Sequence, residues 1–471
     1  MPIPVITVAQ MREWERVTWS SGVKEDSVMR SAGQAVARAA ERWTRLGQRI
    51  LFLAGKGHNG DDTAYGCDAV RERTGELARV IDPELSANEL KTQLAKRPAL
   101  IVDGLFGIGL NRPLSGAWMK LIEQINHSDT PILSVDVPSG LSADTGLPLD
   151  VAIRARVTLT FGAVKQGLLK TTAAPFVGRL EVATAIGLSP YPFATEVSLA
   201  APEDFADFPP ARSVVGHKGT FGHVILLAGS AGYHGAAVLA ARGAQRAQPG
   251  LITVLAHQNV YAPVASQLQA AMVRPWLTEP GIPDTATAVV IGPGLAASDL
   301  GELCHCVARR IWLDSPLPVL MNTSALNWLP PNPYRDDAVR VITPHPGEAA
   351  RLLRWTTHDV QRDRIHAARE LSRRYGNAHV VLKGHQTVVL QGKEPVTVNN
   401  SGNPHLAQGG SGDLLAGYLG GLLAQPDVQK QPGLALRFGV WQHGAAADAL
   451  FAATPAFTVE DLAAALGNVR P

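Results

Sequence analysis

Helical stripes and short apolar runs alternate along the first half of the chain. Val28, Met29, Ala32, Ala35, Val36, Ala39 and Trp43 recur at three- and four-residue spacing, which predicts a helix with one apolar face. Short runs rich in β-branched residues, at 50–54, 99–102, 132–137, 157–161 and 180–183, predict strands. Strands that are apolar throughout and separated by helices imply a parallel sheet covered on both faces. The pattern breaks over 187–212, where Ser189-Pro190-Tyr191-Pro192 and Phe208-Pro209-Pro210 interrupt any regular element. It then restarts. Strands are predicted at 224–228, 251–256, 288–291, 318–321, 339–342 and 379–382, and helices at 236–248, 300–311, 412–424, 435–451 and 459–466. Segments 387–390 and 396–398, joined by Gln391-Gly392-Lys393-Glu394, read as a hairpin. The expectation is two α/β domains, 1–205 and 206–471.

At 471 residues the chain is too long for one ordinary core, in keeping with that division. Its 46% hydrophobic and 18% charged residues describe a globular protein. A net charge of +2, with no Lys/Arg block, gives no footprint for nucleic acid, so no nucleic-acid partner is expected. The N-terminal Met1-Pro2-Ile3-Pro4-Val5-Ile6 has no charged region leading into an apolar run, and no segment is long and apolar enough to span a bilayer. With three cysteines, Cys67, Cys304 and Cys306, this leads to the expectation of a reducing, cytoplasmic setting without membrane contact. The Cys304-His305-Cys306 run could be a metal site. On a helix, however, residues two apart face nearly opposite ways, which favours ordinary packing.

The richest chemistry lies in Gln408-Gly409-Gly410-Ser411-Gly412-Asp413. Three glycines let several backbone N–H groups point into one concavity, and the helix that follows aims its positive end there. Such a place binds phosphate, and Asp413 could take a proton from an attacking hydroxyl. A glycine-rich turn capped by Asp413 is the plainer alternative. In the first half, Gly55-Lys56-Gly57-His58-Asn59-Gly60-Asp61-Asp62 turns off a strand, and Asp103 and Asp136 fall at strand ends, where doubly wound sheets bind ligands. Capping or turn formation would also place carboxylates there.

The Gly409–Asp413 stretch resembles the anion hole and catalytic base of ribokinase-like kinases. Gly229-Ser230-Ala231-Gly232, Gly292-Pro293-Gly294-Leu295, Thr343-Pro344-His345-Pro346-Gly347-Glu348 and Leu382-Lys383-Gly384-His385-Gln386-Thr387 follow in the order found in the ADP-dependent NAD(P)H-hydrate dehydratases. The resemblance covers nearly all of 212–471. It implies that Lys383, Gly384, His385, Gln386, Thr387 and Gly412 contact the adenine nucleotide, with Mg²⁺. Ala236, Gly294, His345 and Asp413 would meet the hydrated dinucleotide, with Asp413 catalytic. His345, read by itself, is equally a turn histidine. One departure stands out. The family usually carries Asp-Ala-Asp-Ala-Leu where this chain has Asn322-Thr323-Ser324-Ala325-Leu326.

Residues 1–205 resemble the NAD(P)H-hydrate epimerases through 52–62, Val102-Asp103-Gly104, Val135-Asp136-Val137-Pro138-Ser139-Gly140 and Phe161-Gly162-Ala163-Val164-Lys165. This implies K⁺ on Asn59, Asp103 and Ser139, and substrate contacts from His58, Asn59, Gly60, Asp61, Asp62, Gly107, Ile108, Gly109, Leu110, Asn111, Arg112 and Pro113. Asp136 is the candidate for proton transfer. The usual Asn-Asn-Gly-Gly-Asp-Gly is altered at His58, Asp61 and Thr63. Asp61 adds a negative charge beside a pyrophosphate, which requires a cation such as Lys56. Thr63 gives up a glycine's freedom. Together the resemblances imply two three-layer α/β/α domains, one Rossmann-like and one ribokinase-like. They also imply a homo-oligomer assembled through the C-terminal half. The alternatives are a ribokinase-like small-molecule kinase with an accessory N-terminal domain, or a nucleotide-binding protein without catalysis.

Overall fold

A computed structural model describes residues 2–70, 74–276, 281–298, 300–331, 338–390 and 394–471. The chain forms two compact units, Ile3–Val197 and one that begins at Ser198. The division falls before residue 205. Segment 198–205 is held by the second unit: Ala200 N–H donates to Val398 O at 2.9 Å, and the buried Phe205 meets Phe438 edge-to-face and Trp441 at a tilt. The proline-rich 187–212 is therefore not wholly irregular. It contains the strand Val197–Leu199 and a short 3-10 turn, Pro202–Phe205.

In the first unit, six parallel strands stand in the order Thr74–Arg79, Arg49–Ala54, Leu100–Gly104, Ile132–Val135, Val157–Phe161 and Arg179–Ala183. Alternate residues of one strand face opposite sides of a sheet. Ile50 and Phe52 accordingly join Val28, Ala32, Val36 and Ala39 of helix Glu25–Arg42. Leu51 and Leu53 join Leu90, Leu121 and Ile125 from helices Pro83–Ala95 and Gly116–Asn126. Arg49–Ala54 and Leu100–Gly104 are neighbours whose connections run to opposite sides, and the crevice at the carboxyl ends of such a pair is where doubly wound sheets take ligands. The edge strand Thr74–Arg79 and the paired Ile3–Ile6 and Val164–Lys165 were not anticipated. Thr74–Arg79 mixes polar residues into its run, and the other two are only four and two residues long.

In the second unit, seven described strands run parallel: Met272–Trp276, Leu251–His257, His223–Leu227, Ala288–Ile291, Val319–Met321, Arg340–Ile342 and His379–Leu382. Val388–Leu390 and Val396–Val398 extend the sheet antiparallel. The expected hairpin turn lies in 391–393, outside the described residues. Helices His234–Ala247, Ser411–Leu423 and Pro432–Ala453 bury one face of the sheet over Val224, Leu226, Val254 and Val290. Ile225, Leu227, Val289 and Ile291, which point the other way, are buried too. The first two helices meet backbone to backbone: a Cβ on Gly417 would lie 1.8 Å from Ala240 O, and one on Gly243 would lie 2.1 Å from Leu414 O. No helix among the described residues is long and apolar enough to cross a membrane.

Candidate functional site

Because the second unit's long strands are parallel, the segments after them all leave one edge of the sheet. These are the loop before Ala236, the Gly292–Leu295 turn, Asn322, Thr343–His345 and Lys383. The first two interlock: Gly229 N–H donates to Pro293 O at 2.8 Å and Ser230 Oγ to Gly294 O at 2.6 Å. At Gly294, with φ +68°, an added Cβ would come within 3.0 Å of the Ala236 Cβ.

Asp413 sits in the first turn of helix Ser411–Leu423, whose entry at Gly410 has φ 90°, a left-handed backbone suited to glycine. Ser411 N–H donates to Gln408 O at 3.3 Å. The N–H groups of Gly409, Gly410, Gly412 and Asp413 have no hydrogen-bond acceptor among the described residues. The amides that the sequence pointed to are therefore available to an anion. Asn322 Nδ2 donates to Asp413 Oδ1 at 3.2 Å, and Lys383 Nζ donates to Asn322 Oδ1 at 3.1 Å. Gly412 lies against Lys383, whose Nζ would be 3.3 Å from a Cβ there. Burial and the Glu348 charge push the Asp413 carboxyl up to about 6, against the pull of Lys383 and the Asn322 hydrogen bond. Burial lowers the Lys383 ammonium below its ordinary value. Lys383–Thr387 is braced by Arg364, which donates to Leu382 O at 2.9 Å and Lys383 O at 3.1 Å. His385 is exposed, and Gln386 takes a left-handed φ of 53°.

His345 caps the turn in which it sits. Its Nδ1 accepts from Gly347 N–H at 3.1 Å and caps helix Pro346–Leu353, so Nε2 carries the proton and faces Glu348 Oε1 at 3.5 Å. Asn322, Thr343 and Glu348 are site residues that sequence reasoning left without a role. Their signal was position: Asn322 and Thr343 lie just beyond strand ends, and Glu348 lies in the first turn of helix Pro346–Leu353.

In the first unit the expected loop at His58, Asn59, Gly60, Asp61 and Asp62 is already helix, His58–Ala69, entered through Gly57 at φ 109°. Asn59 Nδ2 donates to Phe106 O at 2.9 Å, bringing that helix start to the exposed or half-buried turn 107–113 across the crevice. Leu110 N–H closes on Gly107 O, while Ile108 packs with Ile6, Met11 and Trp14. Asn111, Arg112 and Pro113 are exposed. Asp61 is compensated by Arg79 at 3.5 Å, the last residue of the edge strand, rather than by Lys56. Thr63 needs no glycine-like backbone: it is helical, and its hydroxyl donates to Asn59 O at 2.8 Å.

Asp103 is fully buried with both oxygens engaged. Oδ1 accepts from Ser139 Oγ at 2.6 Å and Leu105 N–H at 3.3 Å, and Oδ2 accepts from Ser134 Oγ at 2.8 Å and Ser139 N–H at 2.9 Å. Asp136 holds a left-handed φ of 63°, a strained conformation for a non-glycine residue. It pairs with the fully buried Lys165 at 2.5 Å, and Thr160 Oγ1 and Phe161 N–H add hydrogen bonds at 3.0 and 3.2 Å. Lys165 had been given no role, although a lysine ending an apolar strand was a visible anomaly. Asp62 is also buried, with Oδ1 lacking a hydrogen-bond partner. Burial, with Asp136, Asp61 and Glu15 nearby, raises its carboxyl to about 8. Cys304 is buried and Cys306 exposed on helix Glu302–Asp314, and the described residues contain no cluster of three or more His, Cys, Asp or Glu able to hold a metal ion.

Comparison with known proteins assigns both units. Residues 224–467 match the NAD(P)H-hydrate dehydratase family, and residues 67–167 match the YjeF-related protein N-terminus. The bifunctional NAD(P)H-hydrate repair enzyme Nnr of Coxiella burnetii is 34% identical over 93% of this chain and 93% of its own length. The Escherichia coli enzyme of that name is 36% identical over 90% of this chain and 85% of its own. The Bacillus subtilis ADP/ATP-dependent NAD(P)H-hydrate dehydratase, co-crystallized with ATP and Mg²⁺, superposes with a TM-score of 0.51 at 28% identity, covering 58% of this chain and 98% of that one. With a dehydratase-type second unit, an epimerase-type first unit and relatives that share both over most of their length, the chain belongs to the bifunctional NAD(P)H-hydrate repair enzyme family.

Proposed function

We propose that the second unit uses ADP to dehydrate a hydrated reduced nicotinamide dinucleotide of S configuration, and that the first unit interconverts the R and S hydrates. The carrying observation is the Asp413 carboxylate beside amides that lack acceptors, with Lys383 adjacent. Asp413 takes the proton of the ring hydroxyl. The hydroxyl oxygen bonds to the terminal phosphorus of the nucleotide while the bond to the bridging oxygen breaks, its electrons staying with the shortened nucleotide. The carbon–oxygen bond to phosphate then breaks with its pair going to phosphate. A proton leaves the neighbouring ring carbon, and the ring double bond returns. The amides of Gly409, Gly410 and Gly412 and the Lys383 ammonium hold the phosphoryl charge. Lys383, Gly384, His385, Gln386 and Thr387 form the nucleotide loop, and Ala236, Gly294 and His345 border the dinucleotide.

Carboxylates are sparse here and Lys383 lies among them, so Mg²⁺ would enter with the nucleotide and would supply neutralisation of phosphate charge. In the first unit, Asn59 and Ser139 meet the Phe106 carbonyl, an oxygen-rich group that fits K⁺. Asp103, its oxygens already engaged, contributes charge and holds Ser139 in place. Asp136 and Lys165 are the proton-handling pair, and the crevice between 58–62 and 107–113 takes the dinucleotide. We also propose a cytoplasmic homo-oligomer; the three free cysteines favour a reducing setting.

The test supplies mixed hydrate epimers, K⁺, Mg²⁺ and ADP or ATP, and follows recovery of reduced-nicotinamide absorbance. Wild type recovers it and Asp413→Asn does not. A stable phosphorylated product without recovered absorbance would instead identify a small-molecule kinase, and ligand binding without turnover would remove catalysis altogether.

A further inference from the structure

We propose that Asn322 is a positioning residue that ties one oxygen of Asp413 to the protein and leaves the other to receive the substrate proton. The inference rests on the reading of Asp413 as the base. Asn322 is fully buried and fixed by its backbone, whose N–H donates to Ile291 O at 2.9 Å just past the strand Val319–Met321. Its side-chain orientation is set by chemistry. The Lys383 ammonium has only protons to offer, so the atom 3.1 Å from it is the amide oxygen, which also accepts from Thr343 Oγ1 at 2.9 Å. The amide nitrogen is thereby turned to Asp413, where it donates to Oδ1 at 3.2 Å. Asp413 Oδ2 accepts no hydrogen bond among the described residues. The carboxylate thus has one occupied and one free oxygen, held in a fixed rotation.

An ionised aspartate at 322 has no proton to donate to Asp413. It would set a second carboxylate against Asp413, and like charges at that distance resist joint ionisation. The asparagine is therefore a property of this chain, set where the resembling family usually carries an acid. The other charged or titratable groups around Asp413 are Lys383 from its strand end and Glu348 from helix Pro346–Leu353. His443, from helix Pro432–Ala453, stands 3.5 Å from Ser411 Oγ and is kept neutral by burial, its pKa lowered to about 4. In the native site none of them makes the amide's bond: Glu348 accepts, Lys383 donates to Asn322, and His443 faces Ser411.

The test compares wild type with Asn322→Leu and Asn322→Asp in the full-length enzyme. For both variants kcat falls roughly 10- to 100-fold, as expected when a reacting group is misoriented. The acid limb of the pH–kcat profile moves up by about one unit in the leucine variant and further in the aspartate variant. Asn322→Gln, which keeps the amide, restores part of the rate. An acid limb within 0.3 units of wild type in both variants, or a kcat within about two-fold, overturns the proposal. A second measurement does not need turnover: carboxyl carbons of labelled aspartates are titrated by NMR, with Asp413 assigned through Asp413→Asn. A raised Asp413 midpoint in the leucine variant supports the role of Asn322, and an unchanged one refutes it. If wild type fails to consume hydrate, the dehydratase reading falls while this titration still decides the contact.

Discussion

Asp62→Asn should make the protein more stable in alkali while changing little in acid. Asp62 is 8% exposed on helix His58–Ala69, and its Oδ1 has no hydrogen-bond partner. Burial first, and the charges of Asp136, Asp61 and Glu15 after it, move its carboxyl from 3.8 to about 8. The sign follows from which state holds the proton. Between pH 4 and 8 the folded chain keeps a proton that the unfolded chain releases, so stability falls as pH rises through that window. At about 1.36 kcal/mol per unit, the full displacement corresponds to about 5 to 6 kcal/mol, an upper bound on the loss complete near pH 8. Asparagine has nearly the same shape and no charge to bury. Urea unfolding of the full chain from pH 3.5 to 9 should therefore show matching stabilities for wild type and variant at pH 3.5, with a lead of about 1.6 kcal/mol for the variant already at pH 5. By pH 9 the variant should lead by several kcal/mol, up to about 5. A difference that does not change with pH, or a variant less stable at pH 9, would refute the reasoning.

Lys165→Met leaves Asp136 buried without its partner. It should destabilise the first unit by about 3–5 kcal/mol, whereas adding Asp136→Asn in the same chain recovers much of the loss in a double-mutant cycle. Gly417→Ala drives a methyl into Ala240 O, 1.8 Å away, and should cost about 1–3 kcal/mol in thermal or urea unfolding while lowering hydrate turnover through displacement of Asp413; wild-type stability would refute the contact. Arg79→Ala removes the partner of Asp61 at the crevice. KM for the hydrate in the epimerase assay should rise by up to about five-fold at low salt, with the effect fading at high salt, as suits a half-exposed pair. If KM is unchanged at low salt, Asp61 does not face the substrate.

The buried parallel strands were legible because they are apolar throughout. Val157–Phe161, Ala288–Ile291 and His379–Leu382 fall where their composition put them. Thr74–Arg79 and Met272–Trp276 were not, because each edge strand mixes polar residues into its run, and Pro275 in the latter reads as a breaker. Motif order announced Gly409–Asp413 and Lys383 as parts of one site. It could not announce that Asn322 joins them, since a hydrogen bond between residues 91 positions apart depends on which strand end the fold sets against that helix start. Likewise Asp61 looked to Lys56, the nearest cation in sequence, while Arg79 reaches it from the adjacent strand end. The sequence presented Asp103 only as a carboxylate at a strand end, and the fold reveals four hydrogen bonds already closed around it.

The seating of helix Ser411–Leu423 on helix His234–Ala247 has a mechanical consequence. Where main chain rests on main chain, as at Gly417 with Ala240 and at Gly243 with Leu414, no side chain can change rotamer to let one helix slide along the other. Asp413 therefore stands on an anvil. On the proposed reading, closing around the nucleotide and dinucleotide falls to Lys383–Thr387 and to the turns ahead of Ala236 and Gly294. Hydrogen exchange should accordingly slow at those turns on ligand binding, while the amides along the two helices, shielded from the start, keep a constant rate.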